Sequence, residues 1–125
     1  MRKLMMILTV LSLMAWAGSA VAADYVGAKK CKGGHGKKNR DQWSKWEAGP
    51  HAGAFKKLPA ADQGKAECLE CHTTPGDDKE NGVGCEACHG PGSDYKKMKV
   101  MKDHDAAVKA GMIVPTEETC KKCHN

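Results

Sequence analysis

The 125-residue chain has few of the side chains that build a hydrophobic core. Beyond residue 23 it offers one Phe, one Ile, two Leu, three Met and five Val, and aromatics make up only 5% of the whole. So little apolar surface does not offset the conformational entropy of ordering a chain, and such a composition ordinarily reads as disordered. No segment shows the strict apolar/polar alternation of a strand, which argues against a sandwich or barrel. The 14 Gly and 5 Pro interrupt regular patterns throughout, so short helices and long loops are expected. Past the N-terminus no apolar run approaches the roughly 20 residues of a spanning helix. No paired acid and base and no pattern for an organic substrate are visible, and no small-molecule organic substrate is expected.

The N-terminus differs from the rest. Arg2 and Lys3 precede an apolar stretch from Leu4 to Ala17 and a small-residue run, Gly18-Ser19-Ala20-Val21-Ala22-Ala23. This reads as a secretory signal peptide over residues 1–23, cleaved after Ala22 or Ala23. Residues 24–125 then form one mature domain of about 102 residues, expected in the periplasm, with the cell surface or exterior left open. The first Cys is Cys31, remote from the cleavage site, which argues against a lipid anchor.

The chain does contain Cys-x-x-Cys-His three times: Cys68, Cys71 and His72; Cys85, Cys88 and His89; Cys120, Cys123 and His124. With Cys and His each near 5% of residues, a given Cys should be followed this way in only about 0.3% of cases. The pattern is the attachment signature of c-type haem. Two thiols one helical turn apart reach the two vinyl groups of a porphyrin, and the adjacent imidazole lies under the iron as axial ligand. A zinc ribbon on the pairs 68/71 and 85/88 has similar spacing but does not need a His after each pair. A disulfide between Cys residues three apart closes too small a loop to stabilise much. Export agrees with haem ligation, since exported thiols are otherwise oxidised.

Haem also resolves the missing core. Each macrocycle is a large apolar plate, and three of them supply what the side chains do not, so the haem-free chain is expected to be largely unfolded. The expected fold class is mainly α with long loops, the haems forming the core. Arg40 to Ala48 reads as a helix with Trp43 and Trp46 on one face, positioned to pack on haem and stopped by Gly49-Pro50. Asp94 to Lys102 reads as a Lys-rich helix with Met98 and Met101 on one face. Thr116 caps a last helix that carries the third motif after Pro115. Thr73 to Gly84 reads as a loop, because Thr-Thr-Pro-Gly-Asp-Asp and Asn-Gly are turn chemistry.

Formal charge is +5, or +3 once Arg2 and Lys3 are gone, from 18 basic and 15 acidic residues. Each ferric haem adds two propionates and one net positive centre, so three bring the oxidised protein to about zero. Nucleic acid is not implied. The clusters Lys29-Lys30, Lys32, Lys37-Lys38 and Lys96-Lys97 read as solvated faces or propionate partners, with docking of an acidic partner as the rival reading.

A fourth, incomplete copy stands at Cys31-Lys32-Gly33-Gly34-His35, where Gly34 occupies the place of the second thiol. This copy, the Trp43 helix, His51 with Ala54-Phe55, the stretch Gly82 to Ser93 and the motif order together resemble small exported multihaem cytochromes of the tetrahaem c-554 type. The resemblance covers nearly the whole mature chain and implies a compact helical fold with closely packed haems serving electron transfer. In that family the first motif is complete. Here Cys31 and His35 form a single-thioether site, or an empty one, or a site altered only at Gly34; the missing thiol favours the empty one.

Beyond the three motif histidines, His35, His51 and His104 remain, enough for three haems each to have two His ligands. The resemblance places an axial ligand at the position of His51. His104 lies in Lys102-Asp103-His104-Asp105 and reads equally as a ligand or as an exposed residue. Where relatives often carry a ligand after Gly-Pro-Gly-Ser, this chain has Asp94 and Tyr95. A domain of about 100 residues has a radius of gyration near 13 Å, so its haems must approach edge to edge. An exported electron carrier serving redox protein partners follows. The rival is a reductase of a small nitrogen or sulfur oxide at a five-coordinate haem, and a haem-based gas sensor is a third reading.

Haem number is open to direct measurement. Intact mass of the holoprotein, exported with haem-attachment machinery, should show three covalent haems, with a fourth at Cys31 the minor outcome. Zero or one would contradict the whole reading.

Overall fold

Gly and Pro punctuate the chain so often that no helix grows beyond two turns. A computed structural model describes residues 22–124, which are helical and loop-rich with no strand among the described residues. The helices are α1 (Lys32–His35), α2 (Gln42–Glu47), α3 (Ala66–His72), α4 (Cys85–His89), α5 (Met98–Met101), α6 (His104–Lys109) and α7 (Glu117–Lys121). Single 3₁₀ turns lie at Ala28–Lys30, Phe55–Lys57 and Lys79–Asn81. Helices this short are far below the roughly 12–15 residues that hold together alone in water. What orders them is tertiary.

Several local features follow from the sequence as expected, and others are displaced. The Trp-bearing helix starts at Gln42, not Arg40, because Arg40 and Asp41 take φ of 58° and 54°. Those left-handed values keep both residues out of a right-handed helix. The expected helix from Asp94 to Lys102 is reduced to α5, because Asp94 and Tyr95 turn sharply after Gly-Pro-Gly-Ser. Helix α6 has no counterpart in the sequence reading; Asp103 caps it by accepting from Ala106 N at 3.1 Å. Thr116 and Thr119 form a reciprocal capping box at the start of α7. Residues 73–84 are a loop apart from the turn at Lys79–Asn81. The expected signal peptide falls mainly on residues 1–21, outside the described residues. Among the described residues no helix is long and apolar enough to cross a membrane.

The side-chain core is small: Ala28, Trp43, Ala54, Phe55, Tyr95 and Ala107 are the buried apolar residues, while Met98, Val108, Ile113 and Val114 are exposed. Much of the cohesion comes instead from buried polar hubs. Glu86, 2% exposed, accepts from Val26 N at 2.9 Å, Gly27 N at 2.8 Å and Gly92 N at 2.7 Å. It thereby ties the N-terminal segment to the loop behind the second motif. Asp77 accepts from Ala28 N and from Asn81 Nδ2, each at 2.8 Å. Thr74 accepts from Gly84 N at 2.7 Å and donates to Gly82 O at 3.2 Å. Gly82 sits at φ +60°, where a side chain would be strained and would collide with the His51 carbonyl.

Removing the Glu86 carboxylate should therefore loosen two distant segments at once. Glu86→Ala leaves several buried N–H groups without an acceptor and should cost about 3 kcal/mol of stability. Glu86→Gln, which keeps one oxygen, should cost less. Thermal unfolding of holoproteins matched in haem mass checks this; an unchanged midpoint for Glu86→Ala would remove Glu86 from its structural role.

Candidate haem sites

Each complete motif lies on or beside one helical turn. Cys68, Cys71 and His72 occupy the end of α3, and Cys85 to His89 are the whole of α4. Cys120 lies in α7, with Cys123 and His124 in the turn after it, where His124 N donates to Cys120 O at 2.9 Å. The backbone thus places each pair of thiols one turn apart, with the imidazole at the end of that turn.

Two of these imidazoles are already oriented. His72 Nδ1 lies 2.8 Å from Ala54 O, and His89 Nδ1 lies 3.0 Å from Ile113 O. A carbonyl only accepts, so each Nδ1 carries a proton and Nε2 is the ring nitrogen left to ligate. That is the tautomer an iron ligand needs, held by an outer-shell hydrogen bond. The residues present fit haem. The ring of His124 faces that of His51 with centroids 5.9 Å apart and planes at 53°. Imidazoles sharing one metal through bonds of about 2 Å have centroids roughly 6 Å apart, so the spacing suits two ligands of one iron.

The motifs adjoin one another. The Cys71 thiol donates to Lys122 O at 3.7 Å, which sets it beside the thiol of Cys123. Burial, and then that thiol contact, push Cys123 up to about 11. Cys88 is raised by burial and next by the neighbouring Cys120. A hydrogen bond from Cys31 lowers Cys85 to about 7, and the same bond together with burial raises Cys31 far above the usual thiol range. The incomplete copy thus lies beside the second motif, and the third motif lies beside the first. The pairs 68/71 and 85/88 each adjoin other motifs, and among the described residues no cluster of three or more His, Cys, Asp or Glu is placed to hold a metal ion.

One turn links three sites. In His51–Ala54, Ala54 N donates to His51 O at 3.1 Å, and Val83 N, just before the second motif, donates to the same oxygen at 2.9 Å. Ala54 O accepts from His72 of the first motif, while the His51 ring faces His124 of the third.

The remaining candidates are less engaged. His104 is exposed, its Nδ1 3.5 Å from Asp105 Oδ1. Trp43 and Trp46 face each other at 4.9 Å, and Trp46 Nε1 donates to Val83 O at 2.8 Å. With Lys29, Lys56, Glu47 and Glu80 among the other lining residues, they border a cavity of about 390 Å³. The incomplete copy keeps the local fold of a motif: His35 N donates to Cys31 O at 3.0 Å, and a Cβ on Gly34 would meet nothing within 4 Å.

Sequence reasoning missed Glu86, Tyr95 and the carbonyls of Ala54 and Ile113. The Tyr95 hydroxyl donates to Gly90 O at 2.6 Å and is pushed up by burial, so it stays protonated and bonded behind the second motif. No sequence signal marks which carbonyls accept from His72 and His89.

The chain is similar to cytochrome c-554 of Nitrosomonas europaea, with 29% identity over 135 aligned residues covering 85% of this chain. The alignment covers 55% of that relative, so the chain spans about half the length of the curated protein it matches. No family model matches the chain, and no solved structure matches it. The helical, loop-rich fold of the described residues is compatible with that of a small multihaem cytochrome c.

Because space around Gly34 is open, Gly34→Cys should complete the motif from Cys31 to His35 and add one haem mass to the holoprotein. An unchanged mass with wild type already carrying that haem would mean that Cys31 alone suffices for attachment.

Proposed function

We propose that this cytochrome c-554-like chain is an exported multihaem electron carrier. It would hold haem c at Cys68/Cys71/His72, Cys85/Cys88/His89 and Cys120/Cys123/His124. The observation that carries the reading is the orientation of His72 and His89 by Ala54 O and Ile113 O, which leaves both Nε2 atoms free to ligate. Haem supplies, when bound, a one-electron ferric/ferrous couple.

The protein's contribution is positional. The paired thiols tether, the helical turns place each imidazole beside its tether, and the backbone acceptors stop the rings from rotating. His51 is the proposed second ligand at the His124 site, supported by the ring separation of 5.9 Å. Adjacency of the motifs shortens each transfer step, and Glu86, Asp77 and Thr74 hold the loops that set that adjacency. No proton transfer or bond breaking is asked of any side chain.

A small-oxide reductase is the second reading. Among the described residues His51 and His124 are the one pair of facing His rings, which leaves the His72 and His89 sites without a second imidazole beside them. Rapid reoxidation of the reduced holoprotein by nitrite, nitric oxide or sulfite would favour that reading; the carrier reading expects none.

The ligand assignment has its own test. His51→Ala should convert one low-spin ferric haem to high spin and raise its potential, leaving the others unchanged. Paramagnetic resonance and redox titration of the holoprotein read both effects, and unchanged spectra reject the assignment.

A further inference from the structure

The chain's charge is concentrated in one lobe. Residues 28–46 contain seven Lys or Arg and one carboxylate, Asp41, for a net +6 (7 − 1). The rest of residues 24–125 holds 11 basic and 14 acidic residues, net −3 (11 − 14). All seven cations are exposed, and among the described residues none is in an ion pair, although Lys56 and Lys65 each have one and Lys121 has two. Asp41, the lobe's one carboxylate, pairs with none of them, and its Oδ1 is buried without a partner. Local contacts draw the lobe together. Asn39 Nδ2 donates to Gly34 O at 2.9 Å, folding the turn that carries Lys37 and Lys38 back onto α1. The Lys32 ammonium lies 5.1 Å from the centre of the Trp43 ring on α2.

We infer that this lobe, built around the incomplete motif, is the docking face for the acidic surface of a redox protein. The inference rests on the electron-carrier reading. A cluster of like charges costs folding energy through self-repulsion, and a complementary partner both relieves that cost and gains in encounter rate. A small anion is a poorer fit, because the neighbouring cavity is balanced: Glu47 and Glu80 line it beside Lys29 and Lys56, and Lys56 is already paired with Glu80 at 3.3 Å. The lobe also adjoins the second motif: Gly27 N, at its edge, donates to Glu86 at 2.8 Å, and Ala28 packs against Gly84. Docking there would bring a partner's cofactor next to that motif, at the place where the chain lacks a complete motif of its own.

Reduced flavodoxin, a strongly acidic flavoprotein, serves as the probe. Its hydroquinone anion gives up one electron to become the neutral semiquinone, and one ferric haem becomes ferrous. Stopped-flow rates with the wild-type holoprotein should fall about tenfold or more between about 10 mM and about 200 mM salt. Charge reversal by Lys29→Glu, Lys37→Glu and Lys38→Glu together should slow the low-salt reaction about tenfold or more, with haem mass and spectra unchanged. The control is Lys96→Glu, Lys97→Glu and Lys99→Glu, which changes net charge equally at another exposed cluster and should have a much smaller effect. Equal slowing by both triple variants, or no slowing by the first, would overturn the docking face. Loss of haem mass or altered spectra in the first variant would also overturn it, assigning these cations to haem propionates. Failure of every form to accept electrons would instead count against the carrier reading itself.

Discussion

Everything in this molecule is subordinate to the span of one helical turn. Two thiols three residues apart and an imidazole one residue later must present themselves on one side of the backbone, and a single turn does this. Helices α3, α4 and α7 are therefore five to seven residues long, about as long as the chemistry needs. Such helices do not persist alone. The chain compensates with polar side chains that bind loop backbones, and the proposed haems would add apolar plates. Glu86 shows how closely these are combined, since it is a variable position within a haem motif and also the acceptor that gathers the N-terminus and the Gly-Pro-Gly-Ser loop.

The same economy governs the ligands. Orientation of His72 and His89 uses backbone carbonyls from Ala54 and Ile113, remote in sequence but adjacent in space. The turn His51–Ala54 takes part in all three complete sites through one ring, one carbonyl of Ala54 and one carbonyl of His51. A change at one of these sites is thus mechanically joined to the others, an arrangement that the proposed exchange of electrons between haems would use.

Much of this was readable from the residues, and the limits have physical causes. The motif helices, the absence of strands among the described residues, the capped last helix and the loop from Thr73 to Gly84 follow from spacing and turn chemistry. The start of α2 did not, because left-handed Arg40 and Asp41 break helical geometry without Gly or Pro to announce it. Helix α6 is a single short run of mixed residues with no long apolar period. Tertiary contacts reached through loops, such as Tyr95 to Gly90 or Glu86 to Val26, have no periodicity to betray them. The charge imbalance of residues 28–46 was visible as clusters, but its lack of internal partners and its contact with the second motif needed the fold.

The central claim is that haem, and not the side-chain core of Trp43, Phe55, Tyr95 and three alanines, holds the domain together. Limited proteolysis with far-ultraviolet circular dichroism, comparing the holoprotein with the same mature chain made without haem attachment, tests it directly. The haem-free chain should lack the holoprotein's helical signal and be cleaved rapidly at Lys and Arg residues throughout its length. A haem-free chain that keeps that signal and resists protease as the holoprotein does would contradict the claim.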